Sequence, residues 1–175
     1  MARPMPAHAS TAPSRRAFLT GRVARPEPEF RPPWTDEARV QAHCTSCNAC
    51  AEACPEEIIE IDGRGRPRIR FRGGECTFCA ACAEACPEPV FDLDQPAPWP
   101  VTVDIGSSCL LSAGITCQLC TDICDPRALR MDLSVRPAGA IQVDASACTG
   151  CGACLATCPN NAIAIRDPRQ QRSPG

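Results

Sequence analysis

The stretch Cys44-Thr45-Ser46-Cys47-Asn48-Ala49-Cys50-Ala51-Glu52-Ala53-Cys54-Pro55 reads C-x2-C-x2-C-x3-C-P. The same spacing returns without deviation at Cys76, Cys79, Cys82 and Cys86 before Pro87, and at Cys148, Cys151, Cys154 and Cys158 before Pro159. Another group, third along the chain, holds Cys109, Cys117, Cys120 and Cys124 and keeps only the second half of the run. The last cysteines of successive groups stand 32, 38 and 34 residues apart, which marks an internal repeat.

Two-residue spacers let a tight loop wrap three thiolates around one corner of an iron–sulfur cubane, with backbone N–H groups aimed at the sulfurs. The three-residue spacer sends the fourth cysteine away on a helical turn, and in two-cluster ferredoxins that cysteine ligates the other cluster. Zinc uses two C-x2-C pairs per tetrahedral site and has no need of three cysteines in one run. Disulfides have no reason to repeat this spacing, and a C-x2-C redox pair usually stands alone beside a βαβ pattern. The reading is [4Fe–4S] ligation.

Crossed ligation pairs Cys44, Cys47 and Cys50 with Cys86, and Cys76, Cys79 and Cys82 with Cys54. In the second half, Cys148, Cys151 and Cys154 take Cys124, leaving Cys109, Cys117, Cys120 and Cys158 for one more site. Sixteen thiolates then fill four [4Fe–4S] sites. Gly114 stands where the first cysteine of a regular run would be, so Cys109 is expected to replace it from a longer loop. The competing reading is three regular clusters and a partly vestigial third group.

Composition agrees. Of 175 residues 16 are cysteine, 19 proline and 11 glycine, and aromatics make up only 4%. So little large apolar material supports a marginal core, and such chains usually add metals, clusters or disulfides. A large catalytic α/β enzyme is excluded. Each repeat also carries apolar residues five and seven positions after its last cysteine: Ile59 and Ile61, Phe91 and Leu93, Leu129 and Met131, Ile163 and Ile165. Side chains two apart share one face of a short strand.

The expected fold class is α+β: tandem two-cluster ferredoxin-like units with short strands and one-turn helices, plus a disordered N-terminal arm. The expected divisions are a basic proline-rich arm over 1–40, a first unit over 41–98, a second over 99–168, and a tail over 169–175. Residues 94–100, Asp-Gln-Pro-Ala-Pro-Trp-Pro, read as a joint between the units. Residues 58–61 and 68–71 read as a hairpin around Asp62-Gly63-Arg64-Gly65.

All 18 basic residues are arginine. Arg64, Arg66, Arg68, Arg70 and Arg72 alternate along the second hairpin strand. They form either a docking stripe for an acidic partner or a solvated strand face. Formal charge is −2, and four cubanes at roughly −2 each would take the holo chain to about −10. An acidic body without a reader motif is a poor nucleic-acid binder. No window reaches the length of a transmembrane helix. Arg15-Arg16 followed by Ala17-Phe18-Leu19 is similar to a twin-arginine export signal. The apolar run stops at Thr20-Gly21-Arg22, so the chain is expected in the cytoplasm, its arm either disordered or a partner-docking segment. All-cysteine cubanes leave no open iron site, so one-electron transfer is expected and enzymatic catalysis is not. His43, beside Cys44, either tunes the neighbouring cluster or is a surface residue, and His8 lies in the arm.

Ser14-Arg15-Arg16-Ala17-Phe18-Leu19, Arg31-Pro32-Pro33-Trp34, His43-Cys44-Thr45-Ser46-Cys47, Gly74-Glu75-Cys76-Thr77-Phe78-Cys79 and Ile105-Gly106-Ser107-Ser108-Cys109-Leu110 together resemble the NapF family of ferredoxin-type proteins. The resemblance covers roughly residues 14–166. It implies a cytoplasmic accessory protein of periplasmic nitrate reductase systems. Such a protein would bind the precursor of the catalytic subunit before export and assist maturation of its iron–sulfur centre, through electron supply in one version. A plain electron carrier or electron-transfer subunit is the alternative.

Overall fold

The computed structural model describes residues 30–168. His8, the twin-arginine-like stretch at 14–19 and the tail over 169–175 lie outside the described residues. Helices are short and strands shorter: α1 (Glu37–His43), α2 (Ala49–Glu52), β1 (Ile59–Ile61), β2 (Pro67–Ile69), α3 (Ala81–Glu84), β3 (Thr102–Ile105), a 3-10 turn (Leu110–Ala113), α4 (Leu119–Asp122), β4 (Leu129–Asp132), β5 (Ala140–Val143), α5 (Ala153–Thr157) and β6 (Ile163–Arg166). The mixed α+β class expected from the repeat is what the chain adopts.

The strands form three two-stranded antiparallel sheets. β1 pairs β2 with Ile59 opposite Ile69, so the expected hairpin is present, its second strand one residue earlier than read. β4 pairs β5 in the same way in the second half, and β3 pairs β6 to close that half. Three of the four repeats turn identically after their last cysteine. Glu57, Arg127 and Asn161 adopt positive φ of 51°, 52° and 48°, and each donates its N–H to the carbonyl of the cysteine three residues back, at 3.1, 2.9 and 3.3 Å. The following residues, Ile58, Ala128 and Ala162, are buried, and a strand begins one position later.

The second repeat departs from this. Pro89 occupies the turn position, where its ring fixes φ near −65° and removes the N–H. Val90 is still buried, but Phe91 and Leu93 form no strand and Leu93 is 51% exposed. The expected strand at 91–93 is therefore corrected.

The N-terminal segment lies beside this stretch and against β2. Phe30 through Thr35 are buried. Ile69 N–H donates to the Phe30 carbonyl at 2.7 Å, Asp92 N–H to the Trp34 carbonyl at 2.7 Å, and Trp34 N–H to the Pro98 carbonyl at 2.6 Å. Asp36 caps α1 by accepting from Arg39 N–H at 2.8 Å, Val40 is fully buried, and the Arg39 side chain reaches Asp92 at 2.8 Å. The disordered arm over 1–40 is thus corrected from residue 30 onward. Proline density suggested a solvated coil, but Pro32 and Pro33 are fully buried, and Phe30 and Trp34 on either side of them in sequence are buried too.

The joint at 94–100 is corrected too. Trp99 is only 4% exposed, its ring centroid lies 4.9 Å from Phe30 and 5.7 Å from Phe78, and its Nε1–H donates to the Thr149 carbonyl at 2.8 Å. This ring joins the core of the first half, built on Ile58, Ile59, Ile69, Cys50 and Cys82, to a loop of the second. Trp99→Phe keeps most of that apolar area and drops the bond to Thr149. It is expected to lower unfolding stability by about 1 kcal/mol, read from the denaturation midpoint.

The arginine stripe is partly paired from within. β2 contains only Arg68 of the five. Glu60 on β1 holds Arg68 at 3.0 Å and Arg72 at 3.4 Å, and Glu37 on α1 approaches Arg66 at 3.7 Å. Two carboxylates thus stand against three guanidiniums, and Glu37 is shared with Arg31 at 2.6 Å, so the run keeps a net positive charge.

Candidate iron–sulfur site

Each regular group opens with a loop that needs the left-handed backbone region twice. The residue before its second cysteine has φ of 60° at Ser46, 54° at Phe78 and 74° at Gly150. The residue two before its third cysteine has 67° at Asn48, 63° at Ala80 and 88° at Gly152. The second of these residues caps the one-turn helix carrying the third cysteine, so that sulfur turns inward: Cys50, Cys82 and Cys154 are 8%, 7% and 8% exposed. Spacing alone does not announce these backbone positions, and the only sequence signal is Asn48, Gly150 and Gly152, residue types that tolerate positive φ.

The loops bring the cysteines together in fours. Cys44, Cys47, Cys50 and Cys86 line one void, with Val90 and Phe91 at its edge, of about 350 Å³ including its mouth. Cys54, Cys76, Cys79 and Cys82 line a second of about 350 Å³, under Trp34 and Phe78. Cys109, Cys117, Cys120 and Cys158 line a third of about 390 Å³, with Leu110, Leu119 and Ile163. Cys151, Cys148, Cys120 and Cys124 are all within electrostatic reach of the buried Cys154 sulfur; with Cys120 already lining the third void, Cys124, Cys148, Cys151 and Cys154 make the fourth set. In every set, three sulfurs come from one group and the fourth from its partner group.

The irregular third group reaches its set by a different route. Cys109 precedes the 3-10 turn Leu110–Ala113, and Gly114, at φ of 76°, closes that turn. Ile115 N–H returns to the Leu110 carbonyl at 3.0 Å, folding the longer loop back toward Cys117. Gln118, before α4, has φ of −130° where the regular groups are left-handed.

Electrostatics test whether these sets suit a cubane. Burial first, then repulsion from neighbouring thiolates, pushes Cys50 and Cys120 up to about 11 and Cys82 and Cys154 up to about 12. Burial likewise raises Cys76 to about 11 against a backbone bond from Phe78. Thiolates gathered this closely need a multivalent positive centre among them. Donors are already turned to the sulfurs: Ala162 N–H meets Cys158 Sγ at 3.3 Å, and the Ala153 backbone N–H and the Thr149 side chain both bond Cys151. Among the described residues no three His, Cys, Asp or Glu side chains come close enough to hold a single metal ion. Tetrahedral zinc needs four sulfurs about 2.3 Å from one centre. The residues present fit a polynuclear group larger than one ion. His43 is exposed at the end of α1.

Cys109→Ala therefore has a defined expected outcome. Iron in the reconstituted chain should fall from about 16 to about 12 atoms, with acid-labile sulfide falling in step. An unchanged value near 12 in both proteins would make the third group vestigial.

Comparison with known proteins follows the same lines. The 4Fe-4S dicluster domain family matches residues 43–90 and again 115–172, and the chain is accordingly a carrier of several [4Fe–4S] clusters. It is 40% identical to the "Ferredoxin-type protein NapF" of Escherichia coli K12, over 86% of this chain and 92% of that one. It is 42% identical to the protein of the same name from Haemophilus influenzae, over 81% of each. Similarity also extends to the "Methylamine utilization ferredoxin-type protein MauM" of Methylophilus methylotrophus, 33% identical over 86% of this chain and 75% of that one.

Proposed function

The chain belongs to the NapF family of ferredoxin-type proteins, and from that premise we propose that it is a cytoplasmic accessory protein of a periplasmic nitrate reductase. Its task is to assist maturation of the catalytic subunit's iron–sulfur centre before export, by binding the precursor and supplying electrons to it.

The observation that supports this reading is the 40% and 42% identity to two ferredoxin-type NapF proteins over more than four fifths of the chain, and with it we read the sixteen cysteines as four sets of four. When bound, [4Fe–4S] groups held by four thiolates exchange single electrons and present no open iron to a substrate. The ligand sets are Cys44, Cys47, Cys50 with Cys86; Cys76, Cys79, Cys82 with Cys54; Cys109, Cys117, Cys120 with Cys158; and Cys148, Cys151, Cys154 with Cys124. The first two sets make one two-cluster unit, which takes residues 30–40 as part of its body, and the last two make the second unit from about residue 99. Buried Cys50, Cys82 and Cys154 hold the inner faces of their sites and exclude water there. The amides of Phe78, Ala153 and Ala162 hold charge on the sulfurs they bond. No helix of the described residues is long and apolar enough to cross a membrane.

The deciding experiment is affinity purification of the tagged holo chain from nitrate-grown cells, with reductase iron measured in a deletion strain. Precursor, recognised by its uncleaved leader, is expected to co-purify, and reductase from the deletion strain should be iron-deficient. Absence of precursor, together with fully loaded reductase, overturns the maturation role and leaves a general one-electron carrier as the function.

A further inference from the structure

The four cysteine sets are not two separate pairs. We infer that the two halves of the chain are joined into a single row of four sites, in the order first, second, fourth, third set, and that the joint is the backbone contact between Cys76 and Cys151. This rests on the ligand assignment proposed above.

Within the first half, Cys50 and Cys82 share one buried core and α2 packs on α3, which sets the first and second sites side by side. In the second half, α4 packs on α5, and Cys120, Cys124, Cys148 and Cys158 surround buried Cys154, so the third and fourth sites are neighbours. Between the halves, Cys76 N–H donates to the Cys151 carbonyl at 2.7 Å. Cys76 belongs to the second set and Cys151 to the fourth. A path from one sulfur to the other runs through two residues and one hydrogen bond.

The loop that makes this joint is chemically different from its copies. All three regular groups use two left-handed positions there, filled by Ser46 and Asn48 in the first and by Phe78 and Ala80 in the second. Only the Cys148 group has glycine at both. Backbone conformation does not demand this, since the other copies manage with side chains; proximity does. A Cβ on Gly150 would fall 2.1 Å from Val101 and 2.7 Å from Trp99 Nε1, and a Cβ on Gly152 would fall 2.3 Å from the Phe71 ring. Gly152 lets this loop lie against Phe71 of the first half, and Gly150 lets it lie against Trp99 and Val101, which open the second unit and pack into the core of the first. Trp99 Nε1–H, bonded to the Thr149 carbonyl at 2.8 Å, fixes it in place.

A row has a consequence that two pairs lack. One electron leaving the inner site of the first half is gained by the inner site of the second, so the exchange balances within the chain and needs no outside reagent. The two outer sites, on the first and third sets, become the ends at which a one-electron donor and acceptor would meet the molecule.

Magnetic coupling between reduced clusters falls steeply with distance and reads the order directly. Two variants of the full chain are compared after dithionite reduction. One loses the outer sites (Cys44→Ser, Cys47→Ser, Cys109→Ser, Cys117→Ser), and the other loses the inner sites (Cys76→Ser, Cys79→Ser, Cys148→Ser, Cys151→Ser). Iron is assayed first. At about eight atoms each, the inner pair is expected to give split, fast-relaxing electron paramagnetic resonance signals and the outer pair to give isolated ones. Isolated signals from the inner pair overturn the row. An iron content far below eight in either variant strikes the ligand assignment, and the decision then passes to Phe71→Ala, which keeps every cysteine and every ligand-loop residue and removes the ring that lies against Gly152. That variant should keep the wild-type iron content while its spin relaxation slows and cleavage by protease between the halves accelerates. Unchanged relaxation and unchanged cleavage, with iron retained, overturn the joint.

Discussion

Stripping iron from the holo chain with a strong chelator under anaerobic reducing conditions is expected to unfold it. Far-ultraviolet dichroism should fall to that of a coil, and the fluorescence of Trp34 and Trp99, 9% and 4% exposed in the fold, should shift to the red of a solvated indole. The reason lies in element length. Helices of four to seven residues and strands of three or four cannot persist alone. Tertiary burial must hold them, and among the described residues the second half buries Val101, Val103, Leu111, Leu129 and Ile163 with three alanines beside Cys154. At burial energies of roughly 25 cal/mol per Å², so few large side chains do not offset the ordering of a half-chain. What fills the remaining space is the set of voids lined by cysteine. Without the metal those voids hold thiols raised to about 11 and 12 by burial and mutual repulsion. Binding free energy is therefore folding free energy. Retention of native dichroism and of slow amide exchange after complete iron loss would show that the polypeptide folds without its clusters.

The features legible in the sequence were those fixed within a few residues. The cysteine runs gave the loops, the spacers gave the one-turn helices, and the apolar residues five and seven positions on gave β1, β4 and β6. The Asp62-Gly63-Arg64-Gly65 turn placed its hairpin to within a residue. Features carried by distant segments were hidden. Phe30 and Ile69 meet across almost forty residues and Trp34 and Pro98 across more than sixty, so no local pattern near residue 30 distinguishes a docked segment from a coil. Two local signals were present: Asp36 with Glu37 is a helix start, and Pro89 sits where the other repeats place a residue with positive φ whose N–H bonds the cysteine carbonyl three residues back. The arginine run was legible only in part, because alternation in sequence says nothing of Glu60 and Glu37, which approach Arg66, Arg68 and Arg72 from β1 and α1. Glycines at 150 and 152 looked like ordinary loop residues until the first half was seen lying against them.

Arg31→Met is expected to cost about 3–5 kcal/mol of unfolding stability with the clusters retained, because it strands a buried carboxylate. The Arg31 side chain is 5% exposed and reaches Asp62, also 5% exposed, at 3.1 Å and Glu37 at 2.6 Å. It also donates to the Pro67 carbonyl at 2.7 Å, so one guanidinium ties the N-terminal segment to the turn and to the start of β2. Methionine fills similar volume and satisfies none of these acceptors. Asp62 in turn accepts from the backbone of Arg64 at 2.8 Å and Arg66 at 3.0 Å, which holds the hairpin closed. Arg31→Met with Asp62→Asn should recover part of the loss, since the stranded charge is gone, and the double-mutant cycle isolates the pair. Burial pushes the Asp62 carboxyl up, but the Arg66 and Arg64 amides and then Arg31 outweigh it and hold the group below the ordinary carboxylate value. A carboxyl depressed in the folded state contributes stability that is present above its unfolded pKa of about 4 and is lost as pH falls through the folded value. The wild-type advantage over the Asp62→Asn variant should therefore stay constant from about pH 8 down to about pH 5 and shrink only below about pH 4. Denaturant midpoints of iron-loaded protein across that range check it. A loss under about 1 kcal/mol for Arg31→Met, the range of an exposed pair, would mean that residues 30–35 are not held in the folded body.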